Sequence, residues 1–164
     1  MNWSHVFFSF KGRIPRYAYW LGLLALVGVF ILAFIALINF YQYLPPERDS
    51  ISLVLSAPAV IFIIIYIAMT YCNIAILVKR FHDRNKSGWW ILFFVAVGAS
   101  PVIVWLFGFG GSLSEPNVLI QVLNLVSTLV WLWFFIELGF FKGTRGPNRF
   151  GPDPLGAVQS DASL

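Results

Sequence analysis

Four uninterrupted apolar runs constrain this chain more than any other feature. They cover about residues 17–43, 51–78, 89–109 and 118–141. Each run is at least about as long as the ~20 residues with which a helix crosses the hydrocarbon of a membrane. Strands are excluded, because the runs do not alternate and hydrocarbon tolerates no unpaired backbone. The sequence therefore predicts an all-α membrane protein with four transmembrane helices in a four-helix bundle.

Domain organisation follows from the same pattern. Only 11% of the 164 residues are charged, against about 25% in soluble domains, and a chain of this length is expected to form one domain. We expect a single integral membrane domain over residues 1–154 and a flexible cytoplasmic tail over residues 155–164. Near the start, Trp3, Val6, Phe7 and Phe10 recur at helical spacing. This predicts a short N-terminal interfacial helix.

The positions of the basic residues predict the orientation of the four spans. Ten of the 11 Lys and Arg residues lie before the first run, between the second and third, or after the fourth. These ten are Lys11, Arg13, Arg16, Lys79, Arg80, Arg84, Lys86, Lys142, Arg145 and Arg149. Loops rich in Lys and Arg stay in the cytoplasm. Both termini and the loop at 79–88 are therefore expected there, and only Arg48 lies in a loop on the other side.

Three polar motifs stand at the cytoplasmic ends of these spans. The opening motif is FKGRIPRYAYW from Phe10, the central motif is KRFHDRNKSGWW from Lys79, and the closing motif is GTRGPNRFGPDP from Gly143. Together they resemble the domain-of-unknown-function family 805 of bacterial inner membrane proteins, over about residues 7–154. The resemblance implies a multi-pass protein of the bacterial inner (plasma) membrane. It implies no activity, because the family has none established.

The central motif contains the adjacent pair His82 and Asp83, which is found in some metal-dependent hydrolases. Such a site needs further ligands, yet the only other histidine is His5 and the only cysteine is Cys72. No metal site, cofactor or catalytic residue is predicted. We expect a structural role, in which Asp83 pairs with Arg80 or Lys79 at helical spacing and His82 hydrogen-bonds loop backbone. A general acid–base role for His82 is the alternative.

Polar side chains also occur inside the spans. In the second span they recur at steps of four and three, on one helical face. The polar residues are Tyr66, Thr70, Asn73, Arg80 and Arg84, and the apolar Leu77 occupies the remaining position of this face. We expect this face to pack against neighbouring helices, and the lining of a polar pathway is the alternative.

The fourth span carries Glu137 about one turn below the cytoplasmic interface. Such a group requires a partner, for which Arg80, Arg13 and Arg16 are candidates. Gln121, Asn124 and Thr128 lie on the nearly opposite face. This span is therefore expected either to have protein neighbours on two sides or to complete its packing in a homodimer.

An anion site is the main functional hypothesis from the sequence. Its expected residues are Arg13, Arg16, Arg80, Arg84, Arg145 and Arg149, with Ser87 and Gly88 at the start of the third span. Asn148 of the closing motif is expected to be a structural or functional polar residue outside this set. Ser87 is expected to cap the helix of the third span, whose N–H groups and dipole favour an anion. Guanidinium groups are well suited to bind phosphate. The alternative is that these arginines orient the spans and pair with carboxylates, without forming an anion site.

These observations favour a non-enzymatic binding or adaptor protein. Its expected partners are anionic membrane lipids, a second copy of the chain, or an acidic protein segment at the cytoplasmic face. Binding of nucleic acid is not expected. One alternative is a small transporter or lipid-handling protein for an anionic or amphipathic ligand. The other is an enzyme acting on a lipid headgroup, for which the sequence offers no converging acid, base and nucleophile.

Overall fold

A computed structural model describes residues 2–43, 56–109, 111 and 117–156. Within these residues the fold is all-helical and contains no β-strand. The helices are α1 (Trp3–Phe8), α2 (Arg16–Gln42), α3 (Ala57–Asp83), α4 (Trp90–Leu106) and α5 (Val118–Gly139). The predicted all-α class is confirmed. Arg48, predicted to lie in a loop on the other side of the membrane, is outside the described residues, as is most of the predicted tail.

Three helices are long and apolar enough to cross a membrane: α2 and α3 with 27 residues each and α5 with 22. The shorter apolar helix α4 has 17 residues, or roughly 25 Å at ~1.5 Å per residue. Helix α3 continues past the predicted end of its span at residue 78 and ends at Asp83. Several polar residues that were expected in a loop are therefore held by helical backbone.

The chain divides into two compact units. The first consists of Met1–Phe10 and Tyr17–Ile76. In it, the side chain of Asn2 caps α1 by accepting hydrogen bonds from the backbone N–H groups of Ser4 and His5. Val6 on α1 is buried, and the predicted short helix near the N-terminus is confirmed. Its predicted place on the cytoplasmic leaflet stays a prediction.

The second unit consists of Lys11–Arg16 and Leu77–Leu164, and within it α4 packs against α5. Pro101 has no N–H to donate to the carbonyl of Val97, four residues earlier. The hydroxyl of Ser127 on α5 donates to that carbonyl at 2.9 Å, and the hydroxyl of Ser100 donates to it at 2.8 Å. A proline thus creates the acceptor that joins the two helices.

Candidate functional site

The carboxylate of Asp83, the last residue of α3, is the centre of a buried polar network in the second unit. Its Oδ1 accepts hydrogen bonds from Arg13, at 3.2 Å from Nε and 3.1 Å from Nη2. Its Oδ2 accepts a hydrogen bond from Nη1 of Arg80. All three side chains are nearly inaccessible to solvent. The predicted pairing of Asp83 with Arg80 is confirmed, and the pairing with Arg13 is a finding of the structure.

The other donors of Arg13 reach the closing motif. Nη1 donates to the carbonyl oxygens of Gly146 at 2.7 Å and Gly151 at 3.3 Å, and Nη2 donates to that of Thr144. A guanidinium carries five N–H donors in a planar fork, and here they satisfy backbone acceptors as well as a carboxylate. One arginine of the opening motif therefore binds residues of the central and closing motifs together.

The start of the closing motif fits closely against Asp83. The backbone N–H of Thr144 donates to the carbonyl of Asp83 at 2.8 Å, and its hydroxyl donates to the same oxygen at 3.1 Å. A Cβ atom at Gly143 would overlap the Asp83 carboxylate. Only glycine allows this approach of the backbone, which gives a physical reason for the Gly-Thr step of the motif.

Three arginines bind carbonyls at the C-terminus of α5 and just after it. Arg80 donates from Nε to the carbonyl of Leu138 at 2.6 Å and from Nη2 to that of Phe141. Arg16 donates to the carbonyl of Phe140 at 3.0 Å, and Arg84 donates to that of Lys142. The last carbonyls of a helix lack intrahelical partners and carry the negative end of its dipole. Cationic donors therefore stabilise this end of α5.

Glu137, near that same end of α5, forms a second ion-pair cluster. Its Oε1 lies 3.0 Å from Nε of Arg84 and 2.9 Å from Nζ of Lys86. The predicted buried ion pair is present, but the predicted partners are wrong, because Arg13 and Arg80 bind Asp83 and Arg16 binds a backbone carbonyl. Lys86 approaches because the chain turns sharply after α3, with Asn85 in the left-handed region at φ 56°.

His82 lies at the edge of this network. Its Nδ1 is 3.1 Å from the carbonyl oxygen of Gly12, so the expected bond to loop backbone is present. Its ring stacks on Phe150, with the centroids 3.9 Å apart and the planes 5° from parallel. The amide of Asn148 donates to the His82 carbonyl at 2.9 Å. These contacts give His82 and Asn148 structural roles in holding the closing motif.

Arg145 and Arg149 are exposed, as is Arg16, whereas Arg13 and Arg80 are buried and Arg84 is half-buried. The guanidinium of Arg149 lies 4.7 Å from the ring centroid of Phe150, and its Nη2 donates to the carbonyl of Asn85 at 3.2 Å. Within the described part of the chain, Arg145 forms no ion pair or hydrogen bond. Both side chains belong to a segment that the Asp83 network fixes.

The start of α4 corrects one expectation from the sequence. The N-cap position is Trp89, without a side-chain cap, and the predicted cap at Ser87 is wrong. The carbonyls of Ser87 and Gly88 accept from N–H groups three residues on, so a turn precedes the helix. The hydroxyl of Ser87 instead accepts from the N–H of Trp89 at 3.4 Å. Gly88 lies against Val78, whose Cγ1 would be 3.0 Å from an added Cβ.

The remaining polar residues singled out in the second span belong to the first unit. The hydroxyl of Thr70 donates to the carbonyl of Tyr66 on its own helix at 2.8 Å, and both side chains are exposed. Asn73 is half-buried. Across the described residues, no group of three or more His, Cys, Asp or Glu side chains could hold a metal ion.

Asp153 orders the end of the closing motif. Its carboxylate accepts hydrogen bonds from the backbone N–H groups of Leu155 at 3.0 Å and Gly146 at 2.9 Å. These two bonds hold the pKa of Asp153 below its ordinary value. The carboxylate is therefore ionised at neutral pH, when it can accept both bonds.

Comparison with known proteins identifies relatives along nearly the whole chain. The sequence model described as "Protein of unknown function (DUF805)" matches residues 7–152. The chain is similar to the uncharacterized protein YiiR of Escherichia coli (strain K12), at 29% identity over 89% of this chain and 86% of that protein. It is also similar to the inner membrane protein YhaI of the same strain, at 30% identity with the same coverage. No solved structure matches the chain.

Proposed function

Since this chain belongs to the family of proteins of unknown function DUF805 and is a multi-pass inner membrane protein, we propose that it is a non-enzymatic binding protein for anionic lipid headgroups. The headgroup is bound at the cytoplasmic face by Arg145 and Arg149. The observation that carries the proposal is the exposure of two arginines on the closing motif. Arg13, Arg80 and Arg84 are buried or half-buried and donate to carboxylates and carbonyls of the protein. The exposed Arg16 donates to the carbonyl of Phe140 at the end of α5. Arg145 and Arg149 are exposed on a segment that is already fixed.

Preorganisation supports a headgroup ligand for these two arginines. Arg149 is held by its contact with Phe150 and by one hydrogen bond to Asn85, which leaves most of its donors for a ligand. Planar guanidinium groups bind phosphate oxygens in pairs, and little side-chain freedom is lost when the group is already positioned. The start of α4 carries the exposed Trp89, and tryptophan is enriched at the headgroup level. These features favour a lipid over a soluble acidic segment.

The test compares charge-preserving variants, because nonspecific attraction to anionic lipid needs only positive charge. Arg145→Lys and Arg149→Lys together should lower the occupancy of phosphatidylglycerol about tenfold, since the forked geometry is lost. The matched control is Lys142→Arg, at an exposed cation beside the same motif, which should leave occupancy unchanged. Native mass spectrometry of the protein titrated with phosphatidylglycerol measures the occupancy.

Three results would contradict this function. Equal phosphatidylglycerol occupancy in the double lysine variant and the parent would remove the specific site. Displacement of the lipid by millimolar inorganic phosphate would assign the site to a small anion. Loss of an acidic protein partner from the variant, with lipid occupancy unchanged, would make the protein an adaptor.

We also propose four membrane spans with both termini in the cytoplasm. The proposal rests on the ten-to-one division of basic residues and on the length of α4, which reaches across most of the ~30 Å hydrocarbon layer. In a Cys72→Ala background, Tyr43→Cys and Phe109→Cys should react with an impermeant thiol reagent applied outside. Lys142→Cys should not. Labelling of Lys142→Cys in intact spheroplasts would reverse the orientation.

A further inference from the structure

One surface of α5 is exposed and has the residue spacing of a helix pair. Five exposed residues recur along it at steps of four and three. This seam consists of Gln121, Leu125, Thr128, Leu132 and Phe135. Residues that recur every 3.5 positions on average stay at the interface between two helices that coil around each other in a left-handed sense. Ser127 and Phe134, which are buried on the side of α4, lie more than about 100° around the helix from the centre of the seam.

Asn124, on the border of the seam, makes this surface unsuited to lipid. It lies seven residues after the helix cap Asn117, or roughly 10 Å along the helix. Its side chain is exposed, and no described residue forms a hydrogen bond with its amide. The Thr128 hydroxyl donates to the backbone carbonyl of Asn124 at 2.8 Å and does not reach the amide. Hydrocarbon offers such a group no partner.

We propose that a second copy of the chain covers this seam, so that two α5 helices pack in parallel about a two-fold axis normal to the membrane. Two copies with the same orientation bring identical residues together at the same depth. The Asn124 amide carries both donors and acceptors, so that it is complementary to itself across such an axis. A different partner would need its own polar residue at this depth. The inference is independent of the proposed lipid site.

Disulfide cross-linking tests the geometry of the pair. In a Cys72→Ala background, Leu125→Cys lies on the seam and Val126→Cys lies about 100° away at nearly the same depth. Both native side chains are substantially exposed, at 60% and 43%. Oxidation in native membranes should link Leu125→Cys into a homodimer at least about ten times faster than Val126→Cys. Equal rates, or a linked product that contains another protein, would overturn the proposal.

Dilution in liposomes tests the energetics, with fluorescence energy transfer between labelled copies as the readout. Asn124→Leu should weaken dimerisation by about 3- to 30-fold, the range expected for one interhelical hydrogen bond in a membrane. Asn39→Leu is the matched control, because the Asn39 amide already donates to the carbonyl of Ile35 at 2.8 Å on its own helix. A parent protein that is monomeric at every lipid ratio, or a normally folded Asn124→Leu with unchanged dimerisation, would overturn the proposal.

Discussion

At the residue scale, the network depends on a single carboxylate that accepts from two guanidinium groups. Asp83 is buried, and removing one partner of a buried ion pair leaves the other charge unsatisfied, at a cost of ~3–5 kcal/mol. Gly143 is the residue that permits the closing motif to reach this carboxylate. The stability of the site is therefore sensitive to atoms added beside Asp83 as well as to charges removed from it.

Gly143→Ala should lower the free energy of unfolding by at least ~3 kcal/mol, because the new Cβ would displace the Asp83 carboxylate from its two arginines. Gly28→Ala is the matched control. An added Cβ meets no atom within 4 Å at Gly28, and alanine is favoured in a helix by ~0.5–1 kcal/mol. Thermal unfolding in detergent measures both changes. A Gly143→Ala variant as stable as the parent would show that the backbone does not approach Asp83 so closely.

Some of these side-chain contacts can be predicted from the separation of two residues in the sequence, and others cannot. Arg80 and Asp83 are three residues apart on one helix, so that their pairing can be predicted from the sequence. Arg13 lies 70 residues from Asp83, and no local pattern connects the two. The partners of Glu137 could not be predicted either. Backbone carbonyls at the end of α5 compete for the same arginines, and a sequence does not show which acceptor each guanidinium reaches.

At the element scale, α4 and α5 are joined through the carbonyl that Pro101 leaves without a backbone donor. The positions of the apolar helices follow from hydrophobicity alone, and most predicted boundaries agree with the structure within a few residues. The end of α3 does not follow from hydrophobicity. The charged residues Lys79 and Arg80 predict that the apolar span ends before them, yet the helix continues to Asp83. The carbonyls of α5 and the Asp83 carboxylate stabilise the Arg80 charge there.

Ser127→Ala should lower the free energy of unfolding by about 1 kcal/mol, because the interhelical bond to the Val97 carbonyl is lost. The loss should be at most about half as large in a Pro101→Ala background. Alanine restores an N–H that can donate to the same oxygen, so the carbonyl depends less on Ser127. Thermal unfolding of the four proteins measures the coupling. Equal losses in both backgrounds would mean that the proline does not create the acceptor that Ser127 uses.

At the scale of the whole molecule, three motifs that are far apart in the sequence meet in one polar network. Arg13 comes from the opening motif, Asp83 from the central motif, and the carbonyls of Thr144 and Gly146 from the closing motif. The resemblance to a family indicated that these motifs belong together, and the structure supplies a physical reason. They form an internal framework that holds the exposed Arg145 and Arg149 in place.

The most direct test of this framework is a double-mutant cycle between Arg13→Gln and Asp83→Asn, followed by thermal unfolding in detergent. Each single variant should lose ~3–5 kcal/mol, and the double variant should recover ~1–3 kcal/mol of the summed loss, because the two changes remove one shared interaction. The control cycle pairs Asp83→Asn with Arg84→Gln, whose partner is Glu137, and should be additive. Additive losses for Arg13→Gln and Asp83→Asn would contradict a framework built on Asp83.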